Sequence, residues 1–200
     1  MDEGLHIRPS HRRLASDAAD LALLQRIGHG DRNALRELYT SYYQPLLRFI
    51  YRVTGRLDLA QEGVNDVMMV IWRSSGSFGH RSSVSTWIMG IAYRKALKLL
   101  AASRRWSDRI ASVDFTDWVE RSAPAGEHSD DGDLRDLLDE GLRHLSPEHR
   151  AVVELTYFYG CSYEEIAAIA ACPVNTVKTR MFHARAKLKA LLPQLGKGTL

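Results

Sequence analysis

Gly160-Cys161-Ser162-Tyr163-Glu164-Glu165-Ile166-Ala167, continuing through Ala170-Ala171-Cys172 into Pro173-Val174-Asn175-Thr176-Val177-Lys178-Thr179-Arg180, reads as two helices joined by a tight turn. Ser162 followed by Glu165 is a capping box, which satisfies the orphan amides opening a short helix. Pro173 suits the first turn of the next helix, where a missing N–H costs nothing. From Val177 the apolar residues recur as Val177, Met181, Ala184, Leu188 and Leu191, one stripe on a single helical face. Asn175, Thr176, Lys178, Thr179, Arg180, His183, Arg185 and Lys187 lie off that stripe. Between Ile166 and Leu200 there are six Lys or Arg and no Asp or Glu. A second helix with polar N-terminal residues and a basic flank is what entry into a DNA major groove requires. A solvated cationic helix on an ordinary bundle shares the charge, but not the cap, the proline and the acid-free tail together.

Outward from this motif, charge is distributed in blocks. The net charge is only +3, yet Val67 to Ser107 holds seven Lys or Arg and no acid, while Trp106 to Glu140 holds eleven Asp or Glu against three Arg. Two basic blocks therefore flank an acidic one. An apolar content of 45% across 200 residues supports one large or two small cores and excludes wholesale disorder. No stretch approaches the roughly 18 continuous apolar residues of a membrane span, and Met1 to Asp17 has no apolar signal segment, so a cytoplasmic location is expected. Cys161 and Cys172 are the only cysteines and form no Cys-x-x-Cys. Neither a disulfide framework nor a zinc finger is indicated.

Helical periodicity dominates and alternating strand patterns are absent, so the predicted fold class is all-α: two small helical domains joined by a flexible acidic linker. Residues 1–16 read as a mobile basic arm. Helices are predicted at about Asp17–Gly28, Asp31–Val53, Leu57–Arg73 and Ser83–Arg105, which assigns the first domain to 17–105. From 106 to 133 the periodicity fades into Ser, Asp, Gly and Pro, the composition of a linker. A second domain over 134–195 opens with the stripe Leu134, Leu137, Leu138, Leu142 and Leu145. Ser146-Pro147-Glu148 then caps a helix carrying Val152, Leu155 and Tyr159, and the helix-turn-helix follows.

Two faces of the first domain carry candidate chemistry. On the helix from Leu57, the residues Leu57, Ala60, Val64, Val67, Met68 and Ile71 form a core stripe, while Asp58, Glu62, Asp66 and Met69 project together from the other side. An acidic stripe with an apolar residue in it suits a protein partner better than DNA; a solvated face with one stray methionine fits the pattern equally. On the helix from Ser83, Val84, Ile88, Ala92, Ala96 and Leu99 face inward, and Trp87, Arg94, Lys98 and Arg105 share the far side. Cations around an aromatic ring make a single-strand platform, with phosphates on the charges and an unstacked base on the ring. The preceding loop, Phe78-Gly79-His80-Arg81-Ser82-Ser83, has the polarity and glycine freedom to approach a strand. The competing assignment for Trp87 is a core aromatic, and for the cations a solubilising face.

Together these segments resemble bacterial RNA polymerase sigma factors of the extracytoplasmic-function (ECF) group, in the sigma-70 family. The resemblance spans about Asp17 to Ala190. It is most specific at Leu145-Ser146-Pro147-Glu148-His149-Arg150, at Ser162 to Ala167, and at Pro173 to Arg180 with His183-Ala184-Arg185 and Leu188. In the first domain it rests on Gly30-Asp31 with Ala34, Leu38 and Tyr39; on Asp58, Ala60, Glu62 and Val64 leading to Trp72; and on Ser85-Thr86-Trp87-Ile88 with Ile91-Ala92. Two stretches depart from it. Ala101-Ala102-Ser103 precede Arg104 and Arg105 where the family often has an arginine run, and Gly63-Val64-Asn65-Asp66 replaces a commoner apolar and acidic pattern.

The resemblance implies a non-enzymatic subunit that binds core RNA polymerase and starts transcription at a specific set of promoters, with no cofactor and no metal. It implies that Asp58, Glu62, Asp66 and Met69 dock on the polymerase. Phe78, Arg81, Ser83, Trp87, Arg94, Lys98 and Arg105 would melt and hold the non-template strand of the −10 element. Asn175, Thr176, Lys178, Thr179, Arg180, His183, Arg185 and Lys187 would read the −35 element. An anti-sigma protein is a further implied partner. The rival assignments are an autonomous helix-turn-helix regulator, which leaves the acidic stripe and Trp87 without a task, and an enzyme. For an enzyme the sequence offers no metal-ligand spacing, nucleophile elbow or Gly-rich phosphate loop.

Overall fold

The computed structural model describes residues 11–110 and 140–195. Among them every regular element is helical. Helix α1 spans His11–Gly28, α2 Arg32–Thr54 and α3 Leu57–Ser74; a 3-10 turn at Ser75–Ser77 leads to α4 at Val84–Ile110. After a helical turn at 140–143 come α5 at Pro147–Tyr157, α6 at Tyr163–Ala170 and α7 at Val174–Leu195. Two boundaries differ from expectation. Helix α1 opens at His11, so residues 11–16 of the expected arm are helical, and α4 runs past Arg105 to Ile110. Residues 1–10 of that arm, the acidic linker from 111, and Leu134, Leu137 and Leu138 lie outside the described residues.

Helix ends follow local chemistry. Asp31 caps α2 by accepting N–H bonds from Asn33 (2.8 Å) and Ala34 (3.2 Å). Gly55 ends that helix at φ 73°, where only glycine is unstrained, and returns its N–H to the Tyr51 carbonyl. Helix α4 is capped in part from outside: Asp17 on α1 accepts the Val84 N–H at 2.7 Å, while Ser83 Oγ accepts that of Thr86 at 3.1 Å. Gly63 sits inside α3, where an added Cβ would fall 3.0 Å from Ile50 Cδ1 and 3.3 Å from Leu99 Cδ1. Gly63 thus lets α2 and α4 close on α3.

The core does not stop at the end of the first bundle. Leu38, Phe49, Ile50, Val64, Ile71 and Ile88 belong to the same buried cluster as Val152, Leu155, Ile166, Ile169 and Val177. Helix α5 packs on α2, and α6 on α4. Polar contacts follow the same seam. Arg150 donates to the carbonyls of Arg52 (2.9 Å) and Val53 (3.4 Å), the orphan acceptors at the end of α2, and to those of Leu142, Arg143 and Leu145. Glu154, with no exposed surface, accepts from Arg52 Nη1 at 3.1 and 3.3 Å. Tyr159 Oη donates to the Pro45 carbonyl at 2.6 Å, and burial pushes that hydroxyl well above the usual tyrosine range. Among the described residues no buried side-chain nitrogen or oxygen lacks a partner.

Candidate nucleic-acid interface

The helix-turn-helix is built from its caps inward. Ser162 N–H donates to Glu165 Oε2 (2.8 Å) and Glu165 N–H to Ser162 Oγ (3.2 Å), so both arms of the capping box are made. Ala171 turns the chain at φ 49°, and the Cys172 N–H returns to the Ala167 carbonyl at 3.0 Å. Pro173 occupies the position before α7, its carbonyl accepting from Thr176 (2.9 Å) and Val177 (3.3 Å). It therefore stands one residue earlier than the first-turn position expected of it. Val177, Met181 and Ala184 are buried, which fixes the rotation of α7 and turns its polar residues outward.

On that outward face Asn175, Lys178, Thr179, His183, Arg185 and Lys187 are exposed, and Thr176 and Arg180 are half-buried. The Thr179 hydroxyl donates to the Asn175 carbonyl (2.9 Å), leaving lone pairs outward. Two of the expected cations are committed within the protein. Arg180 donates to Tyr93 Oη on α4 at 3.5 Å and lies 3.9 Å from Cys172 Sγ. Arg185 reaches Tyr157 Oη through Nη2 (2.7 Å) and Nε (3.1 Å).

The second candidate surface lies where the 78–83 loop meets α4. Phe78 and Trp87 are both half-buried, their ring centroids 5.4 Å apart and tilted by 59°. His80, in the left-handed region at φ 52°, continues the aromatic group 4.9 Å from Phe78. Arg81, Arg94, Lys98 and Arg105 are exposed. Trp87 is thus a half-buried ring packed on Phe78 and on the edge of the buried core. Ser83 has a structural task, capping α4 through the Thr86 N–H and bonding the Thr86 hydroxyl at 2.8 Å. A cleft lined by Leu24, Gly28, Ser75, Gly76, Phe78 and His80 opens beside this loop. Periodicity gave no sign of it, because it forms where α1 meets the 3-10 turn.

The acidic stripe is also rearranged. Asp58, Glu62 and Met69 are exposed and Asp66 is half-buried. Arg56 donates to Asp58 through Nε and Nη2 and holds its carboxyl below the usual range. Lys95 on α4 binds Asp66 at 2.7 Å. Glu62 beside Met69 is left as the stripe's carboxylate with no ion pair among the described residues. The sequence grouped three carboxylates on one face; Asp58 is paired by the N-cap residue of its own helix, and Asp66 by a cation of α4 that a single-helix projection cannot place.

Sequence reasoning missed the seam between the two halves. Arg150 and Glu154 stand four apart on α5, the spacing of an ordinary surface pair, yet both are buried and bond elsewhere. The seam brings the two candidate surfaces together. Gly90 of α4 lies against Ile169, an added Cβ standing 3.7 Å from its Cα and carbonyl oxygen. Thr86 Oγ1 lies 3.4 Å from Glu165 Oε1. Among the described residues no group of three or more His, Cys, Asp or Glu is placed to hold a metal ion, and no helix is long and apolar enough to cross a membrane.

The chain resembles known proteins along most of its length. The family model for sigma-70 region 2 matches residues 38–106 and that for sigma-70 region 4 matches 135–188. The RNA polymerase sigma-H factor of Pseudomonas aeruginosa is 30% identical over 189 residues, covering 88% of this chain and 95% of that protein. The ECF RNA polymerase sigma-E factor of Haemophilus influenzae is 29% identical over 182 residues, covering 86% and 94%. Among solved structures, the sigma factor RpoE of Bartonella quintana, in a co-crystal with the anti-sigma factor NepR, superposes with a TM-score of 0.63 at 26% identity. That match covers 79% of this chain and 96% of RpoE.

Proposed function

We propose a division of labour among the surfaces of this chain, which belongs to the ECF group of the sigma-70 family of RNA polymerase sigma factors. A sigma factor is a transcription initiation factor and not an enzyme; it works with core RNA polymerase and promoter DNA. Helix α7 reads the −35 element in the major groove, with Asn175, Thr176 and Thr179 toward the bases and Lys178 and Lys187 toward phosphates. The 78–83 loop and α4 open the −10 element and hold its non-template strand. Phe78 and Trp87 stack an unpaired base while Arg81, Arg94, Lys98 and Arg105 follow the backbone. Glu62 and Met69, flanked by the paired Asp58 and Asp66, dock on the polymerase. The observation that carries this reading is the Phe78–Trp87 pair set at one end of an arc of exposed cations on α4.

In the closed arrangement Arg180 is held by Tyr93, and α6 covers part of α4. Contact with both promoter elements requires that seam to part, which frees Arg180 for a phosphate. A co-crystallised relative binding an anti-sigma factor supports an anti-sigma protein as a further partner here, and the working location is the cytoplasm, with the polymerase. The test is transcription in vitro with purified core polymerase on genomic fragments. New start sites that depend on the protein, preceded by two conserved elements, are expected. Footprinting by the protein alone, with no start sites gained on adding core, would assign it to the autonomous regulators instead.

A further inference from the structure

The outward face of α7 extends beyond the residues that meet bases. His183 lies one turn past Thr179 on that face, about 6 Å along the axis, and is exposed. Its ring centroid stands 6.2 Å from that of His149 on α5, a half-buried side chain whose backbone N–H is already committed to Ser146 Oγ at 3.3 Å. Lys187 follows one turn further on, exposed. The charged groups that act on His149 are Glu148 on α5 and Arg180, His183 and Lys187 on α7; Tyr93 on α4 and Cys172 in the turn face Arg180. Burial, followed by repulsion from His183 and Arg180, holds His149 below the usual histidine range, with Glu148 opposing and Lys187 adding to the repulsion. Two permanent cations and two histidines therefore converge from two helices against a single carboxylate.

We propose that His149 and His183 form a proton-dependent seat for a DNA backbone phosphate on the flank of α7. This rests on the reading of α7 as the −35 recognition helix: a duplex lying along Asn175, Thr176 and Thr179 passes over His183 and brings its backbone between the two rings. Each ring takes a proton from solvent and donates an N–H to a phosphate oxygen, a bond that a neutral ring offers only in one tautomer. Because the phosphate favours the charged ring, the bound-state pKa lies above the free-state value. DNA binding then takes up protons in that window, so affinity rises as pH falls through it and the gain is lost above it.

The experiment uses full-length protein assembled with core polymerase, on a promoter fragment identified by the transcription assay above, with Kd measured between about pH 6 and pH 8. Wild-type affinity is expected to rise toward the acid end by up to about tenfold per pH unit for each proton taken up. His149→Gln and His183→Gln should each remove part of this dependence, and the double variant all of it beyond what core polymerase itself contributes. The double His→Arg variant should bind tightly without the dependence. A double Gln variant with the wild-type pH profile, or a wild type that binds with no pH dependence, overturns the seat while leaving α7 as the recognition helix. Holoenzyme whose binding is unaffected at any pH by loss of the −35 element overturns the recognition-helix reading itself.

Discussion

The arginines of the seam and the arginines of the α4 arc have the same chemistry and opposite environments. Arg150 is buried and spends its donors on backbone carbonyls from two halves of the chain, and Arg52 closes on Glu154. Arg94, Lys98 and Arg105 stand in solvent, the last bonded only to a carbonyl of its own helix among the described residues. A buried guanidinium with all its acceptors fixed is part of the scaffold, because removing it leaves desolvated carbonyls behind. An exposed one contributes little to stability and is available to a polyanion. The difference between holding the fold and meeting the ligand is thus one of desolvation.

The sharpest way to break this comparison is Arg150→Ala. Loss of five carbonyl bonds at a buried site is expected to cost about 3 to 5 kcal/mol, read as a fall in the urea midpoint. Arg94→Ala should leave that midpoint within about 0.5 kcal/mol while weakening promoter opening. If the two variants unfold alike, the division fails. Next in size is Trp87→Ala, expected to cost about 1 to 3 kcal/mol in the open complex, seen as fewer permanganate-reactive thymines with closed-complex binding unchanged. A pre-melted bubble should restore much of the lost transcription. Since Phe78 shares the ring contact, Phe78→Ala should give a related defect, and a normal open complex in both would remove the stacking role.

A smaller effect is expected at the seam from Tyr159→Phe, which keeps the edge-to-face contact with Phe49, at 5.7 Å between centroids, and deletes only the bond to Pro45. The expected loss is about 1 kcal/mol by equilibrium denaturation. The smallest is Ala171→Gly. The φ of 49° strains an alanine, and glycine removes that strain at the cost of unfolded-chain entropy, for a net gain of about 0.5 kcal/mol. A loss instead would mean that the alanine methyl is packed within the turn.

The helix-turn-helix was legible because its signals are local. Ser162 and Glu165 cap each other across three residues, and the stripe from Val177 is buried through Val177, Met181 and Ala184 and half-buried at Leu188 and Leu191. Asp31 and Gly55 likewise bound α2 by chemistry visible within a few positions. What escaped was set mostly by partners distant in sequence. Asp66 projects from the exposed side of its helix, yet Lys95 answers it from α4 and leaves it half-buried; Asp58 is answered locally, by Arg56 two residues before it. Arg180 projects outward on a wheel but meets Tyr93 once α7 is laid on α4. Arg150 and Glu154 escaped most completely, since their spacing suggests a pair that the fold does not use. For Trp87 the core assignment was met only in part, because the ring is half-buried against Phe78 and the core edge.

The carbonyls at the end of α2 are answered by a side chain from the other half of the molecule, and this has a thermodynamic consequence for every partner. A ligand that engages only separated halves binds with its intrinsic affinity multiplied by the fraction of molecules already open. Each 1.4 kcal/mol by which the seam favours closure lowers that apparent affinity about tenfold. By reciprocity, a first partner that held the halves apart would remove that penalty for the second, so polymerase and promoter would be coupled through the seam in addition to any direct contact. On the proposed assignment of α7, the equilibrium at Arg150 would act as a gain control: a change there would rescale the response to every promoter together, whereas a change on α7 would re-rank the promoters among themselves.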